Sequence, residues 1–157
     1  MCDIDEIMNM LDWNNSEEVQ QKGVELAKGI KTINVFIMPC NPESDMNVWE
    51  NCAKILASKP DDILEPYVFK LLEWISDVMK PGGVIILERL KNFSMSKEQL
   101  LTAVEICTQE ALTDENGLWL CALSELLDNE KLKEVLPTET LETLQKHYHN
   151  WGWWDEN

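Results

Sequence analysis

Glycine and proline divide this sequence into segments whose apolar residues repeat with helical spacing. The chain contains six of each residue, and most of them fall between the segments. Within the segments, apolar residues recur every three or four positions, which is the period of an amphipathic α-helix. One such stripe contains Val68, Leu71, Leu72, Ile75 and Val78. The pattern therefore predicts an all-α protein.

Short polar residues predict where the first helices begin, because their side chains accept hydrogen bonds from the unpaired N–H groups of a first turn. Ser16 is predicted to open a helix that continues to about Ile30. Asn47 and Glu50 have the spacing of a capping pair and are predicted to open the next helix. Pro60 ends that helix, since proline disfavours helical backbone at the residue before it.

The same signals divide the second half of the chain. Ser96 is predicted to cap a helix that ends near Leu112, and Asp114 to open one that continues to Leu127. Pro137-Thr138 is predicted to begin the last helix, because proline suits a first helical turn.

Two apolar runs, Ile33–Met38 and Val84–Leu87, are too short for periodicity to separate helix from strand. We predict helix for both, because neither has a convincing partner strand. Pro81-Gly82-Gly83 before the second run resembles a late segment of class I methyltransferases, which use S-adenosylmethionine. That fold also requires a glycine-rich loop after its first strand. No G-x-G precedes Pro81 in this sequence.

Leucine-rich segments recur at a spacing close to 35 residues. Leu56 and Leu90 are 34 residues apart, and Leu90 and Leu126 are 36 apart. Two helices per unit at this period are typical of an α-solenoid. We therefore predict one domain over residues 1–157, a short α-solenoid of antiparallel helix pairs, with residues 151–157 as a tryptophan-rich tail. An ordinary helical bundle with coincidental spacing is the alternative.

The chain carries a net charge of −16, from 29 acidic and 13 basic residues spread along its length. Such a surface repels nucleic acid and anionic membranes and speeds encounter with basic partners. We therefore expect neither a nucleic-acid nor a membrane partner.

The acidic start, Met1–Glu6, lacks the basic region of a signal peptide, so we expect a cytoplasmic protein. Arg89, the only arginine, is expected to pair with a nearby acid.

The reactive residue types form no recognisable catalytic or metal-binding pattern. Cys52, Cys107 and Cys121 occupy apolar helical positions, where cysteine acts as a small core residue. His147 and His149 would point about 200° apart on a helix and cannot share a metal there. An exposed helix end is their expected setting. We expect a protein that is not an enzyme, with no catalytic residue, cofactor or metal.

Seven tryptophans are the least ordinary part of the composition. Trp49, Trp74 and Trp119 lie on or beside apolar stripes and are predicted to be core residues. Trp13 precedes a helix and is a candidate to pack against it. Trp151–Trp154 contains three tryptophans, which either cover the last apolar face as a lid or form an exposed binding anchor.

Several stretches together resemble a family of small bacterial helical-repeat proteins. They are Leu11–Asn15, Glu17–Ile30, Asn47–Leu56, and Leu71–Asp77 with Pro81-Gly82. Proteins of this family resemble the HEAT-like immunity proteins of contact-dependent and polymorphic toxin systems.

The resemblance implies a HEAT-like fold and a cytoplasmic inhibitor that binds a toxin domain and blocks it. An acidic surface suits toxins that are basic because they act on nucleic acid. On this interpretation, the contact acids lie at helix starts and turns: Asp12, Asp45, Glu50, Glu73 and Asp77. Two alternatives stay open, a general adaptor or scaffold of the same fold and a small methyltransferase-like enzyme.

Overall fold

The computed structural model describes residues 3–39, 45–94 and 98–148, and within these ranges the regular structure is helical, with no strand. The α-helices are α1 (Ile4–Met10), α2 (Glu17–Ala27), α3 (Trp49–Ala57), α4 (Asp61–Leu64), α5 (Val68–Trp74), α6 (Gly83–Lys91), α7 (Glu98–Thr113), α8 (Gly117–Glu125), α9 (Glu130–Val135) and α10 (Thr138–His147). Short 3-10 turns are Ile33–Phe36, Asp45–Val48, Glu65–Tyr67, Ile75–Asp77 and Leu126–Asp128. The prediction of an all-α protein is confirmed.

Several predicted helix boundaries agree with the structure. Ser16 caps α2, because its hydroxyl accepts a hydrogen bond from the N–H of Val19 at 3.3 Å. The last helix begins at Thr138, directly after Pro137, as predicted. Ser96, the predicted cap of α7, lies outside the described residues.

Two predicted helix starts are wrong. Asn47 belongs to the 3-10 turn Asp45–Val48, and α3 begins at Trp49 without a capping side chain. Val48 and Trp49 are buried, so core packing rather than capping fixes this start. The cap of α8 is Asn116 rather than Asp114, since its side chain accepts from the N–H of Trp119 at 3.0 Å.

The two short apolar runs are both helical. Ile33–Phe36 forms a single 3-10 turn, which is shorter than the predicted helix, and Val84–Leu87 lies inside α6. The parallel sheet that a class I methyltransferase requires is therefore missing from the part of the chain described here.

The helices contact one another in two series. In one series, α5 packs against α7; in the other, α3 packs against α6, and α6 contacts α8. Helix α7 also packs against α8, and α10 packs mainly against α8. At the N-terminal end, α1 contacts α2 and α2 contacts α3. One cluster of buried apolar side chains extends through the fold from Ile7 to Leu144.

The three predicted core tryptophans are buried, which confirms their placement. Trp49 and Trp74 pack edge to face, with ring centroids 5.5 Å apart and ring planes at 70°. Trp119 contributes to the core from α8. Each of the three indole N–H groups donates to a backbone carbonyl at 2.8–3.2 Å. Burial therefore leaves no unpaired donor on these rings. Trp13, by contrast, is 44% exposed.

Arg89 forms the expected ion pair and connects α6 to the start of α4. Its guanidinium donates to Asp61 Oδ1 at 2.5 Å and to the carbonyl of Lys59 at 2.9 Å. The other carboxylate oxygen of Asp61 accepts from the N–H of Ser94 at 2.9 Å. The guanidinium carbon also lies 5.5 Å from the ring centroid of Phe93.

Candidate interaction surface

Loops meet at the N-terminal end of α3 and contain most of the acids that the sequence singles out. We call this the loop surface and define it as residues 11–16, 46–50 and 77–84. The first loop follows α1, the second leads into α3, and the third joins the 3-10 turn Ile75–Asp77 to α6.

Backbone and buried side-chain hydrogen bonds hold the first loop against α3. The N–H of Trp13 donates to the carbonyl of Asn47 at 3.2 Å. The buried side-chain amide of Asn51 donates to the carbonyl of Leu11 at 2.8 Å and to Gln20 Oε1 at 2.9 Å. Asn51 thus connects α3, the first loop and α2, and its burial favours a single arrangement of the three.

Close backbone packing holds the third loop against α3. A Cβ atom at Gly82 would lie 2.8 Å from the Ala53 Cβ and 2.9 Å from the carbonyl oxygen of Trp49. The φ angle of Gly82 is 83°, a left-handed conformation that glycine adopts without steric cost. The turn from residue 81 to 83 is therefore fixed in position by its contact with α3.

Exposed apolar side chains are present on the first and third loops. Met79 is 83% exposed, and Trp13 and Val84 are also exposed. Single exposed apolar residues are ordinary on a protein surface. Tryptophan and methionine are nevertheless enriched where proteins bind one another. The sequence did not identify these residues as surface groups, because their apolar character predicts burial.

Asp12, Glu50 and Asp77 lie on the loop surface. Asp12 Oδ1 accepts from the N–H of Asn14 at 2.8 Å, and Asp77 Oδ1 accepts from the N–H of Met79 at 3.2 Å. Each of these two carboxylates therefore stabilises its own turn. Glu50 is exposed in the first turn of α3, where its charge offsets the helix dipole.

The other two predicted contact acids are placed differently. Asp45 begins a 3-10 turn, and its side chain lies outside the described part of the structure. Glu73 is half-buried on α5, which packs against α7. Burial, then the charges of Glu110 and Glu73, raise the pKa of the Cys107 thiol to about 12. The structure therefore places Asp12 and Asp77 on two loops that contact α3, Glu50 in the first turn of α3, and Glu73 on α5, which packs against α7.

A charge cluster around Lys91 was not predicted. Its Nζ lies 3.1 Å from Glu88 Oε1, 3.1 Å from Asp128 Oδ2 and 3.8 Å from Glu125 Oε2. Burial alone would lower the pKa of Lys91, but hydrogen bonds and charges from Glu88 and Asp128 outweigh it and raise the pKa. The hydroxyl of Tyr148 donates to Asp128. The cluster thereby connects α6 to the residue that follows α10, and only its Glu88–Lys91 pair has a local helical spacing in the sequence.

Cys52, Cys107 and Cys121 are buried, as predicted. Burial is the main cause that raises their thiol pKa values, to about 12 for Cys52 and Cys107 and about 11 for Cys121. Only the thiolate is a strong nucleophile, so these groups are poor nucleophiles at neutral pH. They serve as core residues.

Slow thiol labelling is the expected consequence. In a Cys2→Ser/Cys40→Ser background, the folded chain should react with an aromatic disulfide reagent at mildly alkaline pH at least ~100-fold more slowly than the urea-unfolded chain. Burial limits both the thiolate fraction and access. Absorbance of the released thiolate measures the rate. One cysteine that labels rapidly in the folded chain would contradict a purely structural role for all three.

Within residues 3–39, 45–94 and 98–148, no group of three or more His, Cys, Asp or Glu side chains is arranged to hold a metal ion. His147 is buried rather than exposed, because the end of α10 packs against α8. His149 lies outside the described residues.

None of the described helices is long and apolar enough to cross a membrane.

Comparison with known proteins gives no match: no family model or curated protein matches this chain, and no solved structure does. The resemblance to HEAT-like immunity proteins therefore stays an expectation from the sequence.

Proposed function

We propose that this protein is a non-catalytic binding module, an immunity-type inhibitor that binds a basic toxin domain in the cytoplasm and blocks its activity. The observation that carries the proposal is the loop surface, where Asp12 and Asp77 lie on loops that contact α3, Glu50 lies in the first turn of α3, and exposed apolar side chains lie on the same loops. We further propose a short α-solenoid of antiparallel HEAT-like helix pairs. The two contact series, α5 with α7 and α3 with α6, support this arrangement, since neighbouring units of a solenoid contact one another in this way.

The fixed backbone of the loop surface supports a role in binding. Ordering of loops on association costs free energy, and a surface that is already ordered avoids part of that cost. Asn51 holds the first loop through two buried hydrogen bonds, and Gly82 allows the third loop to touch α3. The acids and the apolar side chains are therefore presented in one arrangement before a partner arrives.

The charge of the chain supports a basic partner. A net charge of −16 speeds the approach of a cationic protein and disfavours acidic ones. Toxin domains that act on nucleic acid carry basic surfaces, because they must neutralise phosphates. An acidic inhibitor that covers such a surface would block access to the nucleic acid.

The test is capture of the partner followed by a neutralisation assay. Tagged protein is cross-linked in its native cells, captured partners are identified, and each is expressed in a laboratory host alone or with this chain. We expect one basic domain that arrests growth alone and is neutralised by the wild-type chain and by Glu134→Lys, an exposed control on α9, but less well by Glu50→Lys. Captured partners that are all non-toxic would overturn the inhibitor proposal and favour an adaptor.

A further inference from the structure

An apolar groove lies where the end of α7, the start of α8 and the end of α10 meet. Its volume is about 680 Å³. Cavities that hold small ligands have volumes of about 300–1,000 Å³, so this groove is large enough for an aromatic ring. Leu112 on α7 and Leu118 on α8 line the groove and are 40% and 44% exposed. The described part of the chain thus leaves two large apolar side chains of the groove uncovered.

The chain itself leads to this groove. His147, in the last turn of α10, lines it, and Tyr148 is the last residue that the structure describes. The backbone of Tyr148 is extended, with φ of −64° and ψ of 120°, so α10 does not continue beyond it. Residues 149–157 lie outside the described structure. This segment therefore begins two positions after a residue that lines the groove.

The segment 149–157 contains three tryptophans, Trp151, Trp153 and Trp154. A buried tryptophan removes about 150–250 Å² of surface from water, so three of them left in water would expose a large apolar area. Trp151 is three positions after Tyr148, and Trp154 is six positions after it. An extended chain spans at most about 11 Å and 22 Å over these distances. The groove is within reach of all three side chains, because His147 lines it.

We propose that residues 149–157 fold back over this groove and that their tryptophans cover Leu112 and Leu118. Covalent connection selects this occupant, since a short linker gives an attached group an effective concentration in the millimolar range. A separate partner at a lower concentration would have to displace the segment. Glu115 also lines the groove, and its carboxylate is an acceptor for an indole N–H.

This proposal does not depend on the inhibitor function. The described residues that line the groove belong to α7, α8, α10 and the turn between α7 and α8, and the loop surface contains none of them. Coverage of the groove by the chain's own segment requires no toxin and no other partner. The two proposals can therefore fail independently.

A double-mutant cycle in the 157-residue chain tests the contact. One variant is Trp151→Ser/Trp153→Ser/Trp154→Ser, another is Leu112→Ser/Leu118→Ser, and a third combines the two. Each of the first two should lower the urea midpoint of unfolding by about 0.5 M or more, because apolar contact area is lost. The combined loss should be smaller than the sum of the two by at least ~0.3 M, because both changes remove the same contact.

Ile63→Ser on α4 is the matched control for the groove variant. Ile63 is 44% exposed, like Leu118, and it does not line the groove. The loss that Ile63→Ser causes should add to the loss of the triple tryptophan variant, since distant sites act independently. Far-UV circular dichroism confirms that each variant is folded.

Tryptophan emission supplies a measurement that does not rely on stability. The wild-type spectrum minus that of the triple tryptophan variant reports the three rings of the segment. This difference should be blue-shifted and resist quenching by acrylamide, because covered rings are shielded from water. The same difference measured with Leu112→Ser/Leu118→Ser in both chains should shift to the red and be quenched readily.

Three results would overturn the proposal. Additive losses in the cycle with Leu112→Ser/Leu118→Ser would show that the tryptophans do not contact the groove. A difference spectrum typical of exposed tryptophan in the wild-type chain would show that the segment lies in water. A coupling that grows with protein concentration would identify the segment of a second copy as the occupant, because an intramolecular contact does not depend on concentration.

Discussion

Replacement of Trp74 by alanine is expected to lower the free energy of unfolding by about 3–5 kcal/mol. Trp74 is 1% exposed, packs on Trp49 and donates its indole N–H to the carbonyl of Pro81 at 3.2 Å. Alanine would leave a cavity and remove the donor from the carbonyl of Pro81, and both changes destabilise the fold. Domains of this size are stable by about 5–15 kcal/mol, so much of the native stability would be lost. Urea unfolding followed by far-UV circular dichroism measures the change.

Trp13→Ala is the matched control for this substitution. The Trp13 side chain is 44% exposed, and the hydrogen bond that holds its loop is donated by the backbone N–H, which alanine retains. Because more than half of the residue is covered, we expect a loss of about 1 kcal/mol, well below that of Trp74→Ala. Comparable losses for the two variants would contradict the assignment of Trp74 to the core and of Trp13 to the loop surface.

Gly83→Ala is expected to destabilise the protein by about 3 kcal/mol, the upper end of the usual range for overpacking. An added methyl group would overlap the carbonyl oxygen of Val78 and lie 2.8 Å from its carbonyl carbon and 2.9 Å from its Cα. These are backbone atoms, which cannot rotate away as a flexible side chain does. The turn before α6 would have to open between Val78 and Gly83. The midpoint of urea unfolding reports the loss.

Gly29→Ala controls for the general effect of adding a methyl group. The nearest atom to a Cβ at Gly29 is the carbonyl oxygen of Leu26 at 3.6 Å, an ordinary contact. We expect a change within about 0.5 kcal/mol, because such a substitution also restricts the unfolded chain. If Gly83→Ala were as mild as Gly29→Ala, the close packing of the third loop would be wrong.

Features that depend on local pattern could be predicted from the sequence. The helical class follows from the apolar period, and burial of Trp49, Trp74 and Trp119 follows from their place on that period. The start of α8 could not be placed, because Asp114, Glu115 and Asn116 all have side chains that can cap. The backbone turn, with φ of 53° at Glu115, decides that Asn116 precedes the helix.

The arrangement of the candidate site depends on distant contacts and could be predicted only in part. Asn51 donates to a carbonyl 40 residues earlier, and nothing near Asn51 in the sequence signals that bond. The helical period shows which face of α5 is buried but not which helix packs against that face. The effect of Glu73 on the pKa of the Cys107 thiol therefore could not be predicted. The sequence shows that Asp12, Glu50 and Asp77 are acids at helix starts and turns. Their placement around the N-terminal end of α3 depends on the fold.

The affinity of the chain for the basic domain that the capture experiment identifies tests the central claim most directly. Titration calorimetry at low and high salt would compare the wild type with Glu50→Lys and the control Glu134→Lys. We expect Glu50→Lys to bind at least ~10-fold more weakly, the control to bind like the wild type, and the wild-type affinity to fall as salt screens the charges. Affinity that is independent of salt and equal in all three chains would contradict recognition through the acidic loop surface.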